Sequence, residues 1–199
     1  MDLMIWRMNS MLKTVNNFTF ISTDIKDVFI IEPKVYGDER GYFVETYKES
    51  DFSVAGLKYN FIQDNQSKSC KGVLRGLHFQ KNFPQAKLVR VLEGEVYDVA
   101  VDLRKNSSTY GKYVGVLLSE DNKRMFMIPR GFAHGFVVLS KTATFCYKCD
   151  ELYHPEDEGG IMWNDPEIGI DWPSCDEIIL SEKDKRHPSL KDSKVVFDL

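Results

Sequence analysis

The sequence predicts an all-β domain, a sandwich or closed barrel of many short strands with a few short helices at its periphery. Three observations carry this. Short apolar and β-branched runs recur from Val28 to Trp163, polar or glycine-bearing turns separate them at close spacing, and little between them repeats with helical period.

Taken in order, Val28-Phe29-Ile30-Ile31 is a first strand, closed by Glu32-Pro33, and Gly37-Asp38-Glu39-Arg40-Gly41 is a polar turn before Tyr42-Phe43-Val44. Ser50 is placed to cap a brief helix running to about Gly56, with Phe52 and Ala55 on its inner side. Phe61 to Asn65 resumes as strand, and Val73 to Gln80 is an apolar, strand-like run. Lys87 to Leu92 and Val96 to Leu103 read as a hairpin turning at Gly94. Val114 to Leu118 and Arg124 to Ile128 repeat that scheme around Ser119–Asn122, and Phe136 to Leu139 and Thr142 to Tyr147 repeat it around Ser140-Lys141. After Tyr153 the chain turns repeatedly, and the charged tail from Ser181 is expected to be partly helical.

A chain of 199 residues supports one well-buried core, so a single domain over residues 24–199 is expected. Residues 1–23 are set apart as an N-terminal extension, because Met1, Met4, Ile5, Met8, Met11 and Leu12 repeat with helical spacing ahead of the β pattern. A formal net charge of -4 argues against broad binding to nucleic acid or an anionic membrane, so an anionic ligand must be met by a few placed cations. No apolar run is long enough to span a bilayer, and four cysteines are too few for a disulfide scaffold, which fits a reducing cytoplasm. Cys146 and Cys149 lie three apart on a strand, so their thiols should diverge rather than form a metal or redox pair.

The chemistry concentrates around His78. It is a titratable imidazole inside an apolar strand, with Arg75 three residues before it and Gln80 two after. Lys87 opens a strand on the same face as Val89, and a lysine is rarely buried without a task. Tyr147 shares a face with Phe145 and Cys149. Asp184 has two competing roles, since Ser181-x-x-Asp184 also fits a helix capping box. Arg75 and His78 can face one pocket only if the strand bulges between them, and Gly76 is the residue able to host the bulge.

Pro129-Arg130-Gly131-Phe132-Ala133-His134 resembles the second signature of the cupin superfamily, double-stranded β-helix (jelly-roll) barrels. A cupin metal site is not expected. The first cupin signature carries two histidines two residues apart and a following glutamate, whereas here Gln80 occupies the second position and Gln80 to Lys87 contains no Asp, Glu or His.

Gly72 to Gln80 (GVLRGLHFQ), Ala86 to Val91 (AKLVRV), Val96 to Arg104 (VYDVAVDLR), Ile128 to Val137 (IPRGFAHGFV) and Ile161 to Pro173 (IMWNDPEIGIDWP) together resemble the dTDP-4-dehydrorhamnose 3,5-epimerases, from about Asp24 to about Lys185. The resemblance implies a homodimeric, cofactor-independent cupin enzyme that inverts carbons 3 and 5 of dTDP-4-dehydro-6-deoxy-D-glucose in deoxysugar biosynthesis. It implies His78 as base, oriented by Asp184, Lys87 near the substrate keto oxygen, and Tyr147 as proton donor from the opposite face. It places Gln63, Asn65, Arg75 and Lys185 near the sugar and diphosphate, and Tyr153 near the nucleotide base. It also implies that Arg40 and Glu45 reach the nucleotide across a dimer interface and that His134 and Asp98 support the pocket. Lys87 follows His78 by nine residues where the family commonly has ten, which puts a shortened loop beside the ligand. The same motifs fit a 3- or 5-epimerase of a related 4-keto sugar nucleotide, or a non-catalytic cupin that binds one.

Overall fold

A computed structural model describes residues 11–198, so the helical spacing over Met1 to Ser10 lies outside the described residues. The chain enters the fold earlier than its pattern predicts. β1 (Leu12–Val15) and β2 (Phe18–Ser22) form a hairpin that pairs onto β3 (Phe29–Pro33). Phe18 and Phe20 are buried, so residues 12–22 pack with the domain rather than standing apart from it.

β4 (Val35–Asp38) and β5 (Gly41–Val44) make a separate two-stranded arm. α1 (Glu49–Ala55) follows and ends at Gly56 in the left-handed conformation, as its sequence predicts. Its N-cap is Lys48, with no side-chain cap. Ser50 instead lies within the helix, its hydroxyl 3.3 Å from Asp51 Oδ1.

The barrel proper is built from β6 (Gln63–Cys70), β7 (Leu74–Gln80), β8 (Lys87–Glu93), β9 (Glu95–Asp102), β10 (Tyr113–Ser119), β11 (Met125–Ile128), β12 (Phe132–Val138), β13 (Thr142–Cys149) and β14 (Glu158–Gly160). They form a large sheet in the order β1-β2-β3-β11-β8-β13-β6 and a facing sheet in the order β10-β9-β12-β7-β14. This is the double-stranded β-helix of the cupin-type jelly roll.

The strand order corrects the three predicted hairpins. β8 lies in the large sheet and β9 in the smaller one, and the same separation holds for β10 and β11 and for β12 and β13. The turns are real: Gly94 has φ of +79° and a Cβ there would lie 2.0 Å from the Thr142 carbonyl oxygen. They are corners between facing sheets rather than hairpins within one. A polar turn reverses the chain in either case, so local chemistry cannot separate the two. Within the barrel, the consecutive strands that do pair as a hairpin are β9 and β10, antiparallel from Tyr113↔Val101 to Ser119↔Glu95.

Three apolar layers result. Between the sheets lie Val89, Val91, Phe126, Phe145, Ala100, Val116, Phe136 and others. Outside the large sheet, α1 sets Phe52 edge-on against Phe18 and Phe20, over Leu88 and Met127. Outside the smaller sheet, Leu77, Val99 and Val101 are covered by Ile161, Ile168, Val195 and Phe197 from the C-terminal segment. Each fully buried apolar side chain contributes on the order of 1.5–3 kcal/mol. The tail beyond Ser181 contains a 3-10 turn (Asp184–Arg186) and α2 (Leu190–Ser193).

Candidate active site

The strand alternation points Lys87, Val89 and Val91 of β8 inward, and likewise Phe145, Tyr147 and Cys149 of β13. At the mouth of the barrel this inward row stops being apolar. Gln63, Asn65, His78, Gln80, Gln85, Lys87, Tyr147, Tyr153 and Glu158 line a cavity of about 200 Å³ between the two sheets.

Gly76 decides how β7 contributes. Pairing with β12 sets His134 opposite His78 and Phe136 opposite Arg75, so two steps on β12 match three on β7. The extra residue is a bulge, and it turns Arg75 to the same inner side as His78. Gly76 has φ of +126°, and a Cβ there would sit 2.6 Å from Gly135 Cα and 2.7 Å from the His134 carbonyl oxygen. Only glycine fits. Arg75 then reaches across the open edge between the sheets to Ser69 Oγ, with its Nη2 at 3.1 Å and its Nε at 3.2 Å.

His78 Nε2 lies 2.6 Å from Asp184 Oδ1. Burial opposes ionisation of Asp184, but the hydrogen bond to His78 and the charge that His78 can carry outweigh it and hold the carboxyl below its usual value. An ionised carboxylate has no proton to give, so Nε2–H is the donor and Nδ1 is the nitrogen free to accept a proton. Nδ1 is 3.9 Å from Glu158 Oε1. The two roles expected of Asp184 do not compete. Its backbone N–H donates to Ser181 Oγ at 3.1 Å, as in a cap, while its carboxylate serves His78.

Lys87 is half-buried and makes neither hydrogen bond nor ion pair among the described residues; its ammonium lies 5.8 Å from the centre of the Tyr147 ring. Burial pulls its pKa down, only partly offset by Cys149, Asp98 and Glu158. Tyr147 is pushed the other way by burial, which keeps its phenol protonated. Beneath them His134 Nε2 sits 3.0 Å from both oxygens of Asp98. Burial lowers the pKa of that imidazole and raises that of the carboxyl, since the site withholds from each charged form the water that would solvate it. The pair lies under the cavity floor, not in its lining.

Gln80, at the position where a cupin would hold a metal ligand, is a brace. Its Nε2 donates to the carbonyls of Phe83 (2.7 Å) and Leu152 (3.0 Å), and its Oε1 accepts from His154 N–H (2.7 Å). Asp157 accepts from the Asn82 and Phe83 N–H groups at 2.8 and 2.9 Å, so the short loop between His78 and Lys87 is pinned from both sides.

Other expected residues stand elsewhere. Arg40 is exposed on the β4–β5 arm and bonded to Asp38, and Glu45 just beyond it accepts from Asn17 Nδ2; neither lines the cavity in this chain. Lys185 points to Glu182 on an exposed turn, its Nζ 2.6 Å from Oε1. Three residues that the sequence pattern does not single out adjoin the site. Gln85 and Glu158 line it, and Glu158 also accepts from Tyr153 (2.5 Å) and Lys183 (2.5 Å). The Tyr153 phenol is consequently pushed up to about 12, first by that bond to Glu158. His187 approaches Asp184 from the far side, its Nε2 3.3 Å from Oδ1.

A family model described as dTDP-4-dehydrorhamnose 3,5-epimerase matches residues 22–192. The chain belongs to the dTDP-4-dehydrorhamnose 3,5-epimerase family. It is 58% identical over 180 residues to the dTDP-4-dehydrorhamnose 3,5-epimerase of Methanothermobacter thermautotrophicus, covering 89% of this chain and 97% of that one. It is 56% identical over 168 residues to the enzyme of the same name from Escherichia coli, covering 83% and 91%. The crystal structure of dTDP-6-deoxy-D-glucose-3,5-epimerase from Legionella pneumophila, in complex with dTDP-4-keto-L-rhamnose, superposes with a TM-score of 0.86 at 52% identity, over 87% of this chain and 93% of that one. The epimerase family thus accounts for the motifs around His78 and for the jelly roll that carries them.

Proposed function

We propose that this chain binds dTDP-4-dehydro-6-deoxy-D-glucose in the cavity between its sheets and inverts carbons 3 and 5 to give dTDP-4-dehydro-L-rhamnose. One observation carries the reading: a carboxylate-held imidazole (His78), an unpaired ammonium (Lys87) and a protonated phenol (Tyr147) line one small cavity. Both reacting carbons adjoin the keto group, so the same groups serve each in turn. His78 Nδ1 takes the proton, and Asp184 stabilises the imidazolium that forms. The electron pair moves onto the keto oxygen, where the Lys87 ammonium stabilises the enolate, an effect of about 10²–10³-fold in rate. Tyr147 returns a proton from the other side and is reprotonated from solvent, while the His78 imidazolium releases its proton to solvent and is free to act again at the second carbon. The reaction is a net isomerisation, so atoms and electrons balance without a redox partner.

Gln63, Asn65 and Tyr153 line the cavity and are assigned to the sugar nucleotide, with Arg75 at its edge and Lys185 outside it. His134 and Asp98 hold the floor. Two copies of the chain form the working unit, with Arg40 and Glu45 lent to the partner's nucleotide. The support is that the β4–β5 arm exposes Val35, Tyr36, Tyr42 and Phe43, an apolar face on an element that adds nothing to its own barrel.

In heavy water with the 4-keto substrate, deuterium read by NMR should enter at both carbons. Label at one carbon supports a mono-epimerase, and ligand binding without label supports a binding cupin. His78→Ala should abolish exchange, and Tyr147→Phe should still wash out substrate protons while the inverted product falls by about 10²-fold or more. Activity lost to chelators would overturn the metal-independent mechanism.

A further inference from the structure

We propose that His78, Asp184 and His187 form a binding site for a borderline divalent cation such as Zn²⁺, and that occupation of this site switches the base off. The inhibition rests on the function just proposed; the binding does not. The three residues present two nitrogens and an oxygen, all within 4.8 Å of one another. Two imidazoles and one carboxylate are a donor set that zinc takes, with water completing the tetrahedron.

The proton transfers above use His78 and Asp184 and leave His187 without a task. Yet His187 is built into place. Its ring packs flat on Gly160 of β14, where a Cβ would lie 2.4 Å from Nε2, and stands edge-on to the His78 ring at 5.5 Å and 77°. Its side chain is only 9% exposed. Nε2 is buried without a hydrogen bond: it comes within 3.3 Å of Asp184 Oδ1 but is not aligned to share a proton with it. A buried imidazole nitrogen aimed at a carboxylate that already holds another imidazole is the arrangement a cation would complete. Ligands around tetrahedral zinc, each at about 2.0–2.2 Å, stand somewhat over 3 Å apart. The 3.3 Å separation is already there, and the 2.6 Å one needs to open by less than an ångström. His78 lines the active-site cavity, which provides the way in.

The inhibition follows from proton placement. In the free enzyme His78 carries its proton on Nε2 and its lone pair on Nδ1. A cation on Nε2 takes that position, and the ring stays neutral only with its proton moved to Nδ1. No net proton leaves His78, but the nitrogen that should accept the substrate proton no longer can.

The test uses full-length protein stripped of metal by chelator. Zn²⁺ titrated calorimetrically without substrate should bind one equivalent, Co²⁺ should give the visible absorption of a tetrahedral N/O site, and Zn²⁺ should inhibit epimerisation reversibly on adding EDTA. His187→Ala and the conservative His187→Gln should each weaken binding and inhibition by more than about 10-fold, each measured against its own metal-free rate. The rival ligand is the Cys149 thiol, which shares the Tyr147 face, so Cys149→Ser is the control. A thiolate-to-Co²⁺ charge-transfer band, inhibition lost in Cys149→Ser, or inhibition unchanged in both His187 variants would overturn the site. So would an active wild type that neither binds Zn²⁺ nor is inhibited by it. An inactive protein that binds Zn²⁺ through His187 would instead count against the epimerase reading and leave this site standing.

Discussion

Replacing Lys87 by Met separates what this side chain does for catalysis from what it costs the fold. The ammonium sits at the inner end of β8 with no carboxylate in ion-pair range and no hydrogen bond among the described residues, and burial pulls its pKa down. A charge held this way destabilises the native state. Met has nearly the same length and fits the apolar row of Val89 and Val91, so Lys87→Met should stabilise the protein by about 1–2 kcal/mol. For a domain of this size that raises Tm by roughly 2–8 °C. The pH dependence has a definite sign. Because the folded-state pKa lies below the unfolded one, the unfolded chain binds more protons between the two values, and wild-type stability rises with pH across that window. The advantage of Lys87→Met should therefore be full below the folded-state pKa and shrink as pH climbs from there toward the ordinary lysine range. The same change removes the partner of the enolate oxygen and should lower kcat by about 10²–10³-fold. Calorimetric Tm at several pH values, alongside kcat on the 4-keto substrate, decides it. A variant that is less stable than wild type, or whose advantage grows with pH, would refute the claim that Lys87 is held charged and unpaired for the reaction.

Gly76→Ala should destabilise the fold by about 2–5 kcal/mol, combining a disfavoured backbone conformation with overlap against Gly135 and His134, and thermal melting reads this directly. Gln80→Glu leaves the Phe83 and Leu152 carbonyls without their donor and should cost about 2–4 kcal/mol, with faster proteolysis in the Lys81–Ala86 loop than elsewhere. Mixing inactive His78→Ala and Arg40→Ala chains and allowing exchange should restore activity, because a mixed dimer rebuilds one complete site; absence of rescue would place Arg40 outside the partner's pocket.

How far the sequence could be read depends on what each strand faces. β8, β12 and β13 are apolar because both sheet faces are covered, so they stand out as short hydrophobic runs. β6 does not. Gln63, Asn65, Ser67 and Ser69 point into the barrel with Asp64, Gln66 and Lys68 outward, so the strand is polar on both sides: Gln63 and Asn65 line the cavity and Ser69 receives Arg75. Its second half, Gln66 to Cys70, is illegible as strand because no apolar residue marks its inward phase, where Ser67 and Ser69 stand. β1 and β2 escaped because the Met-rich helical spacing ahead of them masks a short alternation in which Phe18 and Phe20 face the core.

The candidate site divides along the same line. His78, Lys87 and Tyr147 were legible because each is a polar group on the inward phase of an otherwise apolar strand, a local contradiction that burial must explain. Asp184, Glu158 and His187 lie in charged segments where acids and imidazoles ordinarily meet solvent; the local pattern marks Asp184 only as a cap, through Ser181-x-x-Asp184, and does not mark Glu158 or His187 at all. They acquire meaning only when the C-terminal segment folds back against β7 and β14, setting Asp184 within 2.6 Å of a residue 106 positions earlier. Gly76 joins the two cases. Its place in the sequence foretold a bulge, because Arg75 and His78 cannot share a face without one, and the pairing of β7 with β12 supplies the missing step. The bulge lets one strand send a base to the cavity and a cation across the gap between the sheets, so Gly76→Ala should disturb Arg75 and His78 together. Its kinetic loss should exceed that of Arg75→Ala alone even at temperatures where the variant remains folded, and an equal loss would mean that the bulge serves Arg75 only.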